Sequence, residues 1–353
     1  MPTQHGLLSM IKMFPAKQYQ GKYCLSPFVM IEVTLQGDVR MCGCNQWMPT
    51  TIGNLKENTL KELLSSELAQ KIRQSIIDGS YVYCDADWCA VIANNGLNKI
   101  KSVPPNIREL FNNPSKFEMP HHISFNGDQT CNLSCPSCRR HIIKTPLSKQ
   151  EEQRKLGETL SNNLFADATD KKIKIELGGA GEVFASPMLM DFVNSIDIDK
   201  FPNVEFDFGT NGLLCEQNWH RFGNKVNNIN KITVSIDASQ ADTYEKIRRG
   251  GKWPKLLQAM HFLQNKKHEL GFKLHTRMIL QQQNYQEIEP FYYFCKEFDV
   301  DIVEYSKLQM WGSWSLEEYN FHHVFSPAHP EYEPAQIELA KVRDFSDTWF
   351  AGL

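Results

Sequence analysis

The sequence predicts an α/β protein: a partial (β/α)6 TIM-type barrel with a small cysteine-bearing domain N-terminal to it. Three observations point there. Six short apolar runs recur after position 120, at 122–125, 173–177, 204–208, 231–236, 273–279 and 301–305, separated by stretches of helical spacing. Strands alternating with helices make βα units and a parallel sheet, and six such units suit a partial barrel or a strongly curved open sheet. The 353 residues are too many for one small module and suit a large domain plus a smaller one. The residues that look chemical fall just after the apolar runs, where such sheets place their sites.

Taken in order, positions 1–23 form an N-terminal segment with no long apolar stretch in 1–14, which does not read as a signal peptide. Positions 24–92 make the first domain. Its apolar runs at 24–34 and 38–42 read as short strands joined by the Gln36-Gly37-Asp38 turn. A helix is predicted over 60–77, with Leu60, Leu63, Leu64, Leu68, Ile72 and Ile76 near one face and Asn58-Thr59 as its cap. Pro104-Pro105 and Asn112-Asn113-Pro114 punctuate a linker over 93–119. The large domain spans 120–310, with helices predicted over 149–165, 188–195, 217–226, 241–249, 253–265 and 286–298. A C-terminal aromatic segment, 311–353, carries Trp311, Trp314, Tyr319 and Phe321; it is either a lid over the barrel mouth or plain packing, and His322-His323 within it read as surface.

Composition narrows the function. Hydrophobic residues at 41% and charged ones at 22% are an ordinary globular balance, which excludes a disordered or fibrous chain. No run of 18 apolar residues is present, so no membrane helix is predicted and the expected location is the cytoplasm. The net charge of −3 argues against a broad nucleic-acid surface.

The ten cysteines are Cys24, Cys42, Cys44, Cys84, Cys89, Cys131, Cys135, Cys138, Cys215 and Cys295. In a cytosolic chain, clustered cysteines bind metal or do chemistry more often than they pair. Cys131, Cys135 and Cys138 follow the first strand of the large domain with C-x3-C-x2-C spacing. Three thiolates on one tight loop can hold three irons of a cubane and leave the fourth without a protein ligand. The same three thiols can instead bind zinc with His141 or His121 as fourth ligand.

The cysteine loop resembles that of the radical S-adenosylmethionine (SAM) superfamily, and further matches follow in order. Leu177-Gly178-Gly179-Ala180-Gly181-Glu182, after the second strand, resembles the glycine-rich motif that contacts the SAM amino group. Thr210-Asn211-Gly212 follows the third strand. Val234-Ser235-Ile236-Asp237 ends the fourth and resembles the segment whose serine meets the SAM ribose region. Tyr244-Glu245-Lys246-Ile247-Arg248-Arg249-Gly250 resembles the stretch whose arginine reaches the SAM carboxylate. The similarity covers about 120–310. Ser137 departs from it, standing where many members carry an aromatic that shields adenine.

The residue types suit those roles. Glycines at 178, 179 and 181 let backbone approach a ligand closely. Glu182 can accept from an ammonium, and Arg248 can clamp a carboxylate with a charge-assisted fork. Read singly, Glu182 is a solvated loop acid, Arg248 a helix-surface cation, and Asn211 and Asp237 a turn former and a helix cap. The implied cofactor is a [4Fe-4S] cluster with SAM.

Cys24, Gly37 and Cys42, spaced by twelve and four residues, resemble the opening half of the SPASM/twitch auxiliary-cluster pattern, which Cys84 and Cys89 close. This implies a small N-terminal twitch-like iron–sulfur domain with a second, auxiliary [4Fe-4S] cluster, fully ligated and suited to electron transfer. It departs from the family in preceding the core and in its C-x4-C closing pair. Cys44 is a possible substitute for Cys42, and a structural zinc ribbon satisfies the same four thiols. Cys215 is a candidate hydrogen-atom donor or a buried thiol, and Cys295 reads as core.

The implied activity is reductive cleavage of SAM to a 5′-deoxyadenosyl radical, which takes a hydrogen atom from the substrate in an oxidoreductase reaction. A flavodoxin or ferredoxin is the expected reductant. Relatives with auxiliary clusters commonly modify peptides by cross-linking, oxidation or epimerisation; others dehydrogenate a sugar or aminocyclitol alcohol. The 23 residues before Cys24 are too few for a leader-binding winged-helix module. A different class of reading is a non-enzymatic zinc-binding interaction protein.

Overall fold

The computed structural model describes residues 19–93, 95–166 and 171–353. The chain divides into two units, one running to His122 and the other from Ile123 to Leu353. Positions 1–18, most of the expected N-terminal segment, lie outside the described residues, as does the stretch read for a signal peptide.

Among its described residues the first unit holds five short strands: β1 (Lys22–Tyr23), β2 (Met30–Thr34), β3 (Asp38–Arg40), β4 (Gly53–Asn54) and β5 (Asn98–Lys99). β2 and β3 form an antiparallel hairpin with Val33 opposite Val39, both fully buried. Its turn depends on Gly37, whose φ of +90° side-chain-bearing residues rarely adopt. The apolar run at 24–34 is not one strand as predicted: Ser26–Val29 forms a helical turn with Pro27 in its first positions, and extension begins at Met30. The helix predicted over 60–77 is two helices, Leu60–Ser65 and Glu67–Ile77. Thr59 opens the first with a capping box to Glu62, while Ser66 turns extended (ψ 154°) and caps the second by accepting from the Ala69 N–H. Leu60, Leu63, Leu64, Ile72 and Ile76 are buried as their spacing implies. The described part of the expected linker belongs to this unit, since β5 pairs antiparallel with β1 and Pro105–Asn112 is a helix.

The second unit is one sheet with strands in sequence order: β6 (His122–Asn126), β7 (Ile173–Leu177), β8 (Val204–Thr210), β9 (Ile229–Ser235), β10 (Lys273–Leu280), β11 (Ile302–Lys307) and β12 (Thr348–Ala351). β7 through β12 are parallel. The first six are the predicted strands. Among the described residues β12 does not pair back to β6, so the barrel is partial. β12 is a strand that the sequence reading did not contain. Phe350 stacks on Tyr305 of β11 at 5.6 Å, and Asp347 binds Lys296 at 2.6 Å, so this segment completes the sheet. The helix predicted over 217–226 is a short helix, Cys215–Asn218, followed by 3-10 turns that kink at Gly223 (φ 52°). One sheet face is apolar and buried, with Ile175, Phe206, Ile232, Leu274 and Val303 at its centre. The alternate residues make a charged face, where Lys231 and Lys174 meet Asp207 and Arg277 meets Glu304.

Candidate functional site

The loop after β6 is fixed by a buried acid. Asp128 Oδ1 accepts from the Thr130 N–H and hydroxyl (3.1 Å each) and from Thr145 Oγ1 (2.5 Å), while Oδ2 accepts from Ser186 Oγ (2.6 Å). Ser186 in turn caps the helix Pro187–Ser195. With its stem held, the loop closes on itself: the Cys131 N–H donates to the Ile143 carbonyl, and the Cys135 carbonyl accepts from both Cys138 and Arg139, each at 2.9 Å. That turn draws the three cysteines together. Cys135 is buried, Cys131 half-buried and Cys138 exposed.

Each sulfur has a donor beside it. Arg139 Nε and Nη2 lie 3.4 Å from Cys138 Sγ, Arg248 Nη1 lies 3.9 Å from Cys135 Sγ, and Asn211 Nδ2 lies 3.9 Å from Cys131 Sγ. Burial pushes the Cys131 thiol up to about 11. Burial also raises Cys135, with Arg248 pulling against it. These thiols therefore ionise when a metal takes the proton's place. Among the described residues no three His, Cys, Asp or Glu side chains already stand in metal-enclosing geometry, and His141, the candidate fourth zinc ligand in this unit, is exposed. The donor set itself, three thiols flanked by two guanidinium groups and an amide, fits an anionic thiolate cluster.

The glycine-rich loop packs on this one through backbone. Gly178 (φ +99°) faces the Gly209 carbonyl of β8, where a Cβ would collide, and a Cβ on Gly181 would lie 2.7 Å from the Asp128 carbonyl and 2.8 Å from that of Thr130. Gly179 lies against the Asn126 side chain. Arg139 binds the loops together by donating to the Gln129 (2.7 Å) and Ala180 (2.8 Å) carbonyls.

Glu182 is no solvated acid. It is 1% exposed and accepts from Thr210 Oγ1 (2.6 Å), the Asn211 N–H (2.6 Å) and the Phe184 N–H (3.1 Å). Burial raises its pKa, and those bonds and Arg248 oppose the rise. Three of about four acceptor positions on the carboxylate are thus taken, leaving one for a ligand. Asn211 donates to Asn132 Oδ1 at 2.8 Å, which ties the loop after β8 to the cysteine loop.

Arg248 is no surface cation. Its Nη2 meets Asp237 Oδ2 at 2.7 Å; Asp237 is buried and the Arg248 side chain is 13% exposed. Burial alone would lower the Arg248 pKa; Asp237 and Cys135 reverse this and hold it above its ordinary value. Asp237, in left-handed backbone at φ 67°, also accepts from the Ile279 N–H at 2.8 Å. Its pKa is raised by burial against the pull of Arg248. Ser235 ends β9, half-buried, opposite Arg277 of β10. Arg249 fastens this region to the cysteine loop through Ser134 Oγ (3.1 Å) and the Arg140 carbonyl (2.8 Å).

Cys215 is 0% exposed and packs 3.7 Å from Thr210 Oγ1, the hydroxyl that donates to Glu182. Cys295 is core, accepting from Thr276 Oγ1 at 3.2 Å. His323, read as surface, is buried. The sequence reading missed Arg139 and Asp128. A cation directly after the third cysteine was a usable signal for the first; nothing local distinguishes the second.

In the first unit Cys24 follows β1, Cys42 and Cys44 follow β3, and Cys84 and Cys89 precede the short helix Ala90–Ala93. Burial raises Cys24, Cys42, Cys84 and Cys89, and each of the six pairings among these four adds repulsion. Cys44 neighbours Cys42 and Cys89 but also the Glu32–Arg40 ion pair. The Asp85 N–H donates to the Trp47 carbonyl (2.8 Å), and the Trp47 N–H to that of Cys44 (3.1 Å), sewing the two cysteine loops together.

Residues 24–90 match the SPASM family, an iron-sulfur cluster-binding domain. The chain is 25% identical to the GTP 3′,8-cyclase of Listeria monocytogenes serovar 1/2a over 229 residues, 62% of this chain and 66% of that protein. It is 25% identical to the GTP 3′,8-cyclase of Lactiplantibacillus plantarum over 201 residues, 55% of this chain and 57% of that protein. The chain thus spans under two thirds of the length of these curated relatives. Among solved structures, Streptococcus suis SuiB aligns at 15% identity and a TM-score of 0.41, covering 81% of this chain and 61% of that one. Methylornithine synthase (PylB) aligns at 12% and 0.40, covering 65% and 63%. No helix among the described residues is long and apolar enough to cross a membrane.

Proposed function

We propose that this chain, a radical SAM protein with a SPASM-type iron–sulfur domain, is a cytoplasmic oxidoreductase that takes a hydrogen atom from a peptide and oxidises, cross-links or epimerises it. The observation that carries the reading is the convergence of three loops on one trio of sulfurs: Arg139, Asn211 and Arg248 each place a donor on a different cysteine. Cys131, Cys135 and Cys138 would hold the SAM-binding cluster, and Cys24, Cys42, Cys84 and Cys89 the auxiliary one. When bound and reduced by a flavodoxin or ferredoxin, the cluster and SAM supply the 5′-deoxyadenosyl radical.

The chain's own work is binding, orientation and exclusion of water. Asp237 holds Arg248 in place, and the guanidinium would bind the SAM carboxylate. Glu182 would accept from the ammonium. Gly179 and Gly181 would admit the methionine end, and Asn211, Ser235 and Asp237 would line the nucleoside side. The Arg277–Glu304 pair on the charged sheet face suits the polar groups of a peptide. The SPASM domain supports the peptide class, because relatives with such domains commonly modify peptides.

Anaerobic protein given SAM and dithionite should form 5′-deoxyadenosine. With a peptide substrate in D2O, deuterium gain without mass loss marks epimerisation, and loss of two hydrogens marks oxidation or cross-linking. Presenting GTP in place of peptide tests the chemistry in the cyclase relatives' name. Turnover of GTP, or of a sugar alcohol and no peptide, rejects the peptide reading. A colourless protein with stoichiometric zinc rejects the radical reading altogether.

A further inference from the structure

Tyr81 is an awkward residue for its place. It occupies left-handed backbone, φ 51°, which a bulky side chain adopts only where its surroundings over-determine it. It is 1% exposed, and among the described residues its hydroxyl has no hydrogen-bond partner. A buried orphan hydroxyl is costly, and phenylalanine would fill the same space without it. The strain is held by the Tyr81 N–H donating to the Ser75 carbonyl (3.0 Å) and by Tyr19 packed edge-on at 5.1 Å.

The surroundings say what the hydroxyl is for. Tyr81 and Cys89 belong to one buried core, against which Cys24 and Cys84 pack. The Tyr81 carbonyl accepts from the Cys84 N–H at 2.9 Å, so the turn that strains Tyr81 also sets Cys84. A neutral thiol is a weak acceptor, whereas an iron-bound thiolate or sulfide is an anionic one that rewards an O–H donor. Buried polar groups at functional sites that lack a partner mark where a ligand completes the bonding.

We propose that the Tyr81 hydroxyl donates a hydrogen bond to a sulfur of the auxiliary cluster and raises its reduction potential. Tyr81 is thus a positioning residue, acting on the cluster and not on substrate. Reduction adds negative charge to the sulfurs, so a donor stabilises the reduced form more than the oxidised one. The inference rests on the auxiliary cluster of the proposed function.

The test uses the full chain, reconstituted anaerobically, as wild type and Tyr81→Phe. Iron is counted first: about eight per chain is expected for two cubanes, and about four in wild type would remove the auxiliary cluster itself, a failure of the underlying reading. EPR-monitored redox titration follows, with the SAM-binding cluster identified by the change SAM makes in its signal. The auxiliary midpoint should move negative in Tyr81→Phe while the other midpoint stays. An unmoved auxiliary midpoint, or an equal shift of both, overturns the proposal. Melting of iron-free and iron-loaded protein gives a second reading. Without iron the variant should melt at or above wild type; with iron it should melt below, or release its auxiliary irons sooner. A variant that melts lower without iron overturns the proposal, because the hydroxyl then has a partner inside the bare chain.

Discussion

The two cysteine sites balance charge in opposite ways. In the second unit each sulfur has an N–H donor from the protein, two of them arginines, and one of the three sulfurs is exposed. In the first unit Cys42 and Cys89 are buried and Cys24 and Cys84 half-buried, burial raises all four, and neighbouring cysteines add to the rise at Cys42 and Cys84. One site brings its own counter-charge and has an exposed sulfur; the other would leave compensation to a bound metal. That is the difference expected between a cluster that receives a small molecule and one that passes electrons.

The sharpest way to break this comparison is to remove one sulfur from each site. Cys135→Ala should lower 5′-deoxyadenosine formation by at least about 100-fold, the scale on which losing a group essential to the transition state is felt. Cys84→Ala should keep part of that cleavage while losing modified product. Equal loss in the two variants would abolish the distinction. The next effect is on stability. Asp237→Asn leaves the Arg248 guanidinium buried without its carboxylate and should cost about 3–5 kcal/mol in urea unfolding. Arg73 is the buried arginine of the first unit, 1% exposed, and donates to the Pro114 (2.8 Å) and Leu64 (2.9 Å) carbonyls. Burial lowers its pKa to about 10. Arg73→Met should cost about 2 kcal/mol, since neutral carbonyls are lost and no anion is stranded. A larger loss for Arg73→Met would reverse the ranking. Stripping iron should separate the units further: limited proteolysis should cut near 84–92, where Cys84 and Cys89 then lose the metal that would tie them to Cys24 and Cys42, before it cuts the sheet of the second unit.

The two units also differed in how much the sequence revealed. Ile173–Leu177 of β7 came out residue for residue, because its alternation of apolar Ile173, Ile175 and Leu177 with Lys174 and Glu176 is the pattern of a strand buried on one face. β12 did not: it is four residues long, Trp349 is exposed, and its place comes from pairing with β11 rather than from its own pattern. In the first unit Ser66 carried a local signal, a cap residue followed by Glu67, inside an apolar spacing that continued across it. The cysteines were legible from spacing. The partners that hold Glu182 and Arg248 were not, because Thr210 and Asp237 come from other strands and only the fold brings them together.

The smallest effect lies in the second unit and concerns acid. His323 is 8% exposed, and burial, with Lys307 and His329 adding repulsion, lowers its pKa from 6.5 to about 4. Among the described residues its Nε2 has no hydrogen-bond partner to favour the charged ring. The folded state therefore stays neutral where the unfolded chain binds a proton. Between pH 6.5 and 4 the unfolded form holds more protons, so stability rises with pH across that window and falls as acid is added. At pH 5 the contribution already lost is about 2 kcal/mol. His323→Phe keeps a flat ring against Tyr319, whose centroid lies 5.0 Å away. It should match wild type near pH 7.5 and exceed it at pH 5 in urea midpoint. Proteolysis of wild type at pH 5 should then begin in the second unit, the reverse of the order after iron removal. A variant whose midpoint falls in parallel with wild type down to pH 4 would place the acid sensitivity elsewhere, in the carboxylates that hold the cysteine loop.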